Sequence, residues 1–186
     1  HADMPGYQNG EDPAAYSEVN AFMSAFGIEG FPTLIADFGD RLGSYSLAAV
    51  KALVDEYYGD GSAAVGISVN SELHENVLVM RASVKAAKAG KYRIGAWLLE
   101  DGIDGKQTDG QGIKGMDPDH DYDIHDNSVR VADSKNGSSW VGHSLGRIEA
   151  GNTAEKTFLL KVSKAGQLEN MQMAICVASA NEKGQY

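Results

Sequence analysis

Cysteine is nearly missing from this sequence. Cys176 stands alone in 186 residues, which excludes an intrachain disulfide and any dithiol redox pair, since that chemistry needs a low-pKa thiolate and a resolving partner. Proline is scarce, at four residues, so stiff polyproline linkers are absent. No run is long and apolar enough to cross a bilayer as a helix, so no transmembrane segment is expected. Positive charge is short: 16 Lys and Arg stand against 26 Asp and Glu, a net charge of -10. That balance repels phosphate backbones and anionic lipid, so no nucleic-acid partner is expected. No signal peptide is visible; the chain begins with His1 rather than Met, and the expectation is a processed chain or a fragment with any export signal upstream.

What is there suffices for folded cores: 42% of residues are hydrophobic and 22 are Gly, a composition of many turns between packed elements. Asp12-Pro13 reads as a helix start, with Asp as the cap and Pro in the first turn. Ala15, Val19, Phe22, Met23 and Phe26 follow at helical spacing up to Gly27. Thr33 to Phe38 reads as a buried strand and Gly39 to Gly43 as a tight turn. Ser46 then caps a second helix with the stripe Leu47, Val50, Leu53, Val54, Tyr57 and Tyr58. Gly59-Asp60-Gly61-Ser62 reads as a boundary between two domains, residues 1–60 and 61–186.

Beyond it the apolar period changes to two. Val65 to Val69, Leu78 to Val84, Tyr92 to Leu98, Val129 to Val131, Phe158 to Val162 and Met171 to Val177 each alternate, and Ser144 to Ile148 suggests a further short strand. Six or seven short strands with no helical stripe between them predict an antiparallel sandwich of immunoglobulin type. Gly102 to about Asp126 reads as one large loop. Asn136-Gly137 predicts a tight hairpin turning Ser128–Asp133 back into Trp140–His143.

Two resemblances add to this reading. Phe26-Gly27-Ile28-Glu29-Gly30-Phe31-Pro32-Thr33-Leu34 resembles the cis-proline link of thioredoxin-like proteins, with Pro32 at the position that is cis in that fold. The first 60 residues then correspond to the second half of a thioredoxin-like unit. Leu99-Glu100-Asp101-Gly102-Ile103 with Gln107, and His125-Asp126-Asn127-Ser128-Val129-Arg130-Val131, resemble landmarks of the twenty-eight-kilodalton outer membrane protein family of Bacteroides-type bacteria. The family pattern has a second His where this chain has Asn127. The resemblance implies α/β plus all-β architecture, with a partial thioredoxin-like fold followed by an immunoglobulin-like antiparallel β-sandwich. It also implies a lipoprotein or outer-membrane-associated protein of the cell envelope, periplasmic or surface anchored, with a binding or adhesion role.

The candidate chemistry is sparse. Cys176 sits on a strand, on the face shared with Gln172 and Ala174, and reads as a small, buried, inert residue. Asp117, Asp119, Asp121, Asp123 and His125 lie in the densest acidic stretch. Alternating carboxylates suit a hard cation such as Ca²⁺, and His120 with His125 would suit Zn²⁺. The same composition also describes a solvated acidic loop. Glu100 and Asp101 end an apolar strand, but adjacent strand residues face opposite ways and make no acid–base pair by themselves. No serine stands in a nucleophile-elbow context, and His143 beside Ser144 reads as a surface pair. Tyr57, Tyr58, Trp97, Trp140 and Tyr122 are the aromatics available for recognition, with Trp97 expected in the core. No catalytic constellation and no cofactor site emerges. The leading expectation is a non-enzymatic envelope protein that binds a protein or glycan partner through its sandwich loops. The alternative is a thiol-disulfide oxidoreductase module whose Cys-bearing half is absent from this chain. A half thioredoxin-like sheet leaves an edge to be completed by upstream sequence or another chain.

Overall fold

The computed structural model describes residues 12–30, 33–36, 40–41, 43, 46–59, 61–107, 112, 114–116, 121–134, 142–162 and 168–180. The chain is mostly antiparallel β structure with few helices. Pro32, and with it the expected cis bond, lies outside the described residues, as do Trp140 and Asn136-Gly137.

The amino-terminal stretch contains α1 (Val19–Ala25), β1 (Ile35–Ala36), β2 (Asp40–Arg41) and α2 (Leu47–Tyr58). The expected start of the first helix is corrected. Asp12 forms a local turn, its Oδ1 accepting from the Ala14 N–H at 2.9 Å and its carbonyl from Ala15 N–H, and the helix begins at Val19 instead. Asp favours such a turn because its side chain competes with the helical pattern for nearby N–H groups. Among the described residues of the buried strand expected over 33–38, Ile35–Ala36 form a strand, half-buried, and Leu34 is exposed. Asp40–Arg41, expected in a tight turn, pairs antiparallel with Ile35–Ala36. The second helix starts as expected: Ser46 Oγ accepts from Ala49 N–H at 3.2 Å, satisfying a first-turn donor. Gly59 caps its end at φ +54°, where a side chain would be strained.

After Gly61 the alternating segments become strands: β3 (Val65–His74), β4 (Val77–Ala86), β5 (Gly90–Glu100), β6 (Ile103–Asp104), β7 (Ile124–His125), β8 (Ser128–Asp133), β9 (His143–Ile148), β10 (Thr153–Lys161) and β11 (Met171–Ala180). One sheet runs β10-β4-β3. The other runs β11-β5-β8, with β9 also paired to β5. Both contribute to one core. Met80, Ala82 and Val84 of β4 and Phe158 and Leu160 of β10 pack with Tyr92, Ile94, Ala96 and Leu98 of β5. The period of two puts these on the facing sides of the sheets, and the intervening residues look out. Two interlocked rows of this kind dominate the stabilisation, at about 1.5–3 kcal/mol for each large side chain buried.

The expected hairpin from β8 into β9 is corrected: both strands lie along the same edge of β5, β8 against Ala96–Glu100 and β9 against Gly90–Ile94. Gly95 marks the gap between them. A Cβ there would lie 2.6 Å from Ser134 Cβ and 2.8 Å from Trp97 Cη2. Trp97 is buried as expected, but it covers Gly95 on the side of β5 that faces away from the central core. Cys176, expected to be buried, is exposed on β11; it stands between Ile175 and Val177, which pack against the core, and so on the opposite row.

Candidate functional site

At one end of the two sheets, the two motif segments come together residue by residue. Glu100 pairs with Ser128 across the β5–β8 ladder. Asp101 Oδ1 accepts from the Asn127 N–H at 2.7 Å. Asp126 Oδ1 accepts from the Gly102 N–H at 2.9 Å, and Ile103 pairs with His125 in the β6–β7 ladder. Each segment thus caps the backbone of the other with a carboxylate, in a reciprocal lock. Asn127 holds φ +54° and Gly102 φ +71°. Asn is among the residues that tolerate the left-handed region, which suits it to this corner. Asp101 also takes the Gln172 side-chain amide, and its N–H donates to Asn170 O at 3.0 Å, tying β11 to the lock.

Beneath the lock lies a buried ion pair. Glu100 is 7% exposed, and Arg130 Nε lies 3.0 Å from its Oε2. That oxygen nevertheless receives no aligned hydrogen bond, so the contact is one of charge more than direction. Arg130 is aimed there by a bulge: Leu98 faces Val131 and Leu99 faces Val129, leaving Arg130 as the extra residue. Its Nη1 donates to the Pro13 carbonyl at 2.5 Å, which docks the amino-terminal turn on the strands. A buried carboxylate without a counter-charge costs several kcal/mol, so Arg130 fixes both the acid and the incoming chain.

His125 is buried, its Nε2 lying 2.7 Å from Gly105 O. A carbonyl only accepts, so the proton of this bond sits on Nε2. A Cβ on Gly105 would come within 3.2 Å of the imidazole and 3.4 Å of Pro13 Cγ. The loop backbone at Gly105 therefore sits close against both the ring and the turn.

The acidic loop is held by its own side chains. Asp121 Oδ1 accepts from the Asp123 N–H at 3.0 Å. Asp123 accepts from Lys114 Nζ and from the Gln107 N–H at 3.2 Å, and Gln107 Nε2 donates to Tyr122 O at 2.5 Å. The Lys114 ammonium, then the Gln107 N–H, hold the Asp123 carboxyl below its ordinary value of 3.8. Asp117 and Asp119 lie outside the described residues. Among the described residues no three His, Cys, Asp or Glu side chains gather as metal ligands; Asp121, Asp123 and His125 point to separate protein partners.

Elsewhere, His143 Nε2 lies 2.6 Å from Asp133 Oδ1, and Ser144 Oγ accepts from Gly146 N–H at 3.1 Å. Tyr58 is exposed and Tyr122 half-buried. In the sequence Leu99–Ile103 and His125–Val131 stand out only as two separate landmarks. Their reciprocity appears only once β6 and β7 pair, and Arg130 and Pro13 carried no signal of a shared site.

No family model matches the chain, and no curated protein matches it. Among solved structures it is similar to the X-ray crystal structure of protein AGR_C_4864 from Agrobacterium tumefaciens, at 17% identity and a TM-score of 0.52, over 100% of this chain and 72% of that one. At that identity the likeness concerns the fold alone.

Proposed function

We propose that this is a non-enzymatic binding protein of the cell envelope, related to the twenty-eight-kilodalton outer membrane proteins. In this reading residues 1–60 are a partial thioredoxin-like unit and residues 61–186 an immunoglobulin-like sandwich. A protein or glycan partner at the cell surface is held by the loops at the locked end. One observation carries the reading: the two segments that resemble the family's landmarks close on each other, and their carboxylates hold backbone and Arg130 rather than converge on a reacting centre. Such a lock rigidifies loops at low entropic cost to a ligand, and it lends no group to proton transfer.

The test is direct. Purified chain is presented to glycan arrays and envelope proteins, alongside a charge reversal at the exposed Lys106 and a lock variant, Asp101→Ala. The expected result is saturable binding weakened in both variants. Antibody labelling of intact cells should find the protein at the surface. Thiol-dependent insulin reduction that disappears in Cys176→Ser would overturn the non-enzymatic reading, and labelling confined to the cytoplasm would overturn the envelope assignment.

A further inference from the structure

The ten-residue strand β3 is the edge of its sheet, and among the described residues it pairs with β4 alone. Its register sets Ile67 beside Val84, Val69 beside Ala82 and Leu73 beside Leu78, so these side chains belong to the row that faces the core. Yet Ile67 is 42% exposed, Val69 37% and Leu73 43%. The opposite sheet does not reach over them. Alternate residues of such an edge also turn their N–H and C=O groups outward. Edge strands are ordinarily guarded by lysine, proline, an inward charge or a bulge. β3 reads Val-Gly-Ile-Ser-Val-Asn-Ser-Glu-Leu-His and has none of these: its one acid, Glu72, lies on the outward row, countered by Arg81 at 3.7 Å and within hydrogen-bond reach of His74 Nε2 at 3.1 Å.

We infer that β3 is an interface for a second copy of this chain, the two β3 strands pairing antiparallel about a two-fold axis at Asn70. The strand's own sequence argues for that occupant. With Asn70 opposite itself, Ile67 meets Leu73 of the other copy at both ends, and Val69 meets Ser71. On the outward row Ser68 meets Glu72 and Gly66 meets His74. The apolar pair Ile67–Leu73 falls on the core side at both ends and no like charges oppose, the pattern that stabilises cross-strand neighbours. A two-fold contact is self-complementary by construction, so every match occurs twice. The join would extend two three-stranded sheets into one of six strands. Each copy carries a charge of -10, so the copies repel at long range and the pairing strengthens when salt screens them.

The experiment uses the whole chain with Cys176→Ser, so that the introduced thiol is alone. Asn70→Cys in that background, mildly oxidised, is expected to link into dimers at least several-fold faster than Ser71→Cys, whose thiols lie off the axis. Sedimentation of the parent protein should show the dimer fraction rising from about 0.05 to 0.5 M salt. Val69→Lys should abolish it with the circular-dichroism spectrum unchanged. A protein monomeric at every salt and concentration, or linkage that favours Ser71→Cys over Asn70→Cys, overturns the inference. So would rapid linkage of the parent through Cys176, which would place the contact on β11. None of these outcomes depends on whether the locked end binds a ligand.

Discussion

Two stretches of this chain treat regularly spaced apolar residues in opposite ways. In β4, β5 and β10, residues two apart interlock across two sheets, and Phe158, at 0% exposure, is sealed between them. Between Asp12 and Gly59 the helical spacing is as regular, yet no described side chain of α1 or α2 is buried, and Leu47 is 84% exposed. The difference lies in how each element satisfies its backbone. A strand needs a neighbour for its hydrogen bonds and so brings a partner with it, whereas a helix bonds to itself and can leave its stripe uncovered. Periodicity states which face could be buried; the partner decides whether it is.

The strongest way to break this contrast is to truncate one side chain in each stretch. Phe158→Ala is expected to cost about 3–5 kcal/mol, and Leu47→Ala within about 0.5 kcal/mol, both read from urea unfolding. Equal losses would mean that the helical stretch has a hidden core. Hydrogen exchange should agree, with α2 amides opening locally and β5 amides only with the whole molecule.

Next in size is Gly142→Ala. Gly142 holds φ +94°, and a Cβ there would stand 1.9 Å from Ile94 O. Backbone strain and overlap together predict a loss on the order of 3 kcal/mol. A loss under about 1 kcal/mol would show that the β8–β9 junction is looser than the rest of the strands.

Arg130→Met comes third, at about 2–3 kcal/mol, because it strands Glu100 in a buried site. Arg130 also donates to Pro13 O, so limited proteolysis within residues 12–18 should accelerate by the same change. Adding Glu100→Gln should return part of the stability but not the protection of the amino-terminal turn. Full return of both would mean that the turn is held by something other than Arg130.

Most of the strand region was legible in the sequence, because alternation names both the element and its buried face. Val65 to Val69, Leu78 to Val84 and Tyr92 to Leu98 all took the expected form. What misled were local signals that compete with tertiary ones. Asp12-Pro13 carries a strong cap signature, but Asp12 turned its carboxylate to Ala14 while Pro13 docked on Arg130. Cys176 was expected inside because cysteine usually is, yet it stands on the row of β11 opposite the core-packed Ile175 and Val177. The locked end was half legible. Both segments stood out, but the pairing of Asp101 with Asn127 and of Asp126 with Gly102 joins residues about 25 apart, and no local spacing encodes it.

The smallest effect tests whether the acidic loop shares the rigidity of the strands it joins. Lys114 holds Asp123 below its ordinary 3.8, with the Gln107 N–H second. A carboxyl whose folded value lies below its unfolded one binds fewer protons when folded. Its contribution is therefore complete above about 3.8 and fades as pH falls through the lower folded value. Lys114→Met should raise the Asp123 midpoint, read by carbon NMR of the carboxyl, while the urea midpoint at neutral pH hardly moves, since the Lys114 ammonium is exposed and water screens the pair. The same ammonium occupies the carboxylate that Ca²⁺ would need, so Ca²⁺ should leave the melting temperature of the parent unchanged. A rise on adding Ca²⁺ would mean that the loop rearranges to bind it and lacks the rigidity of the packed strands.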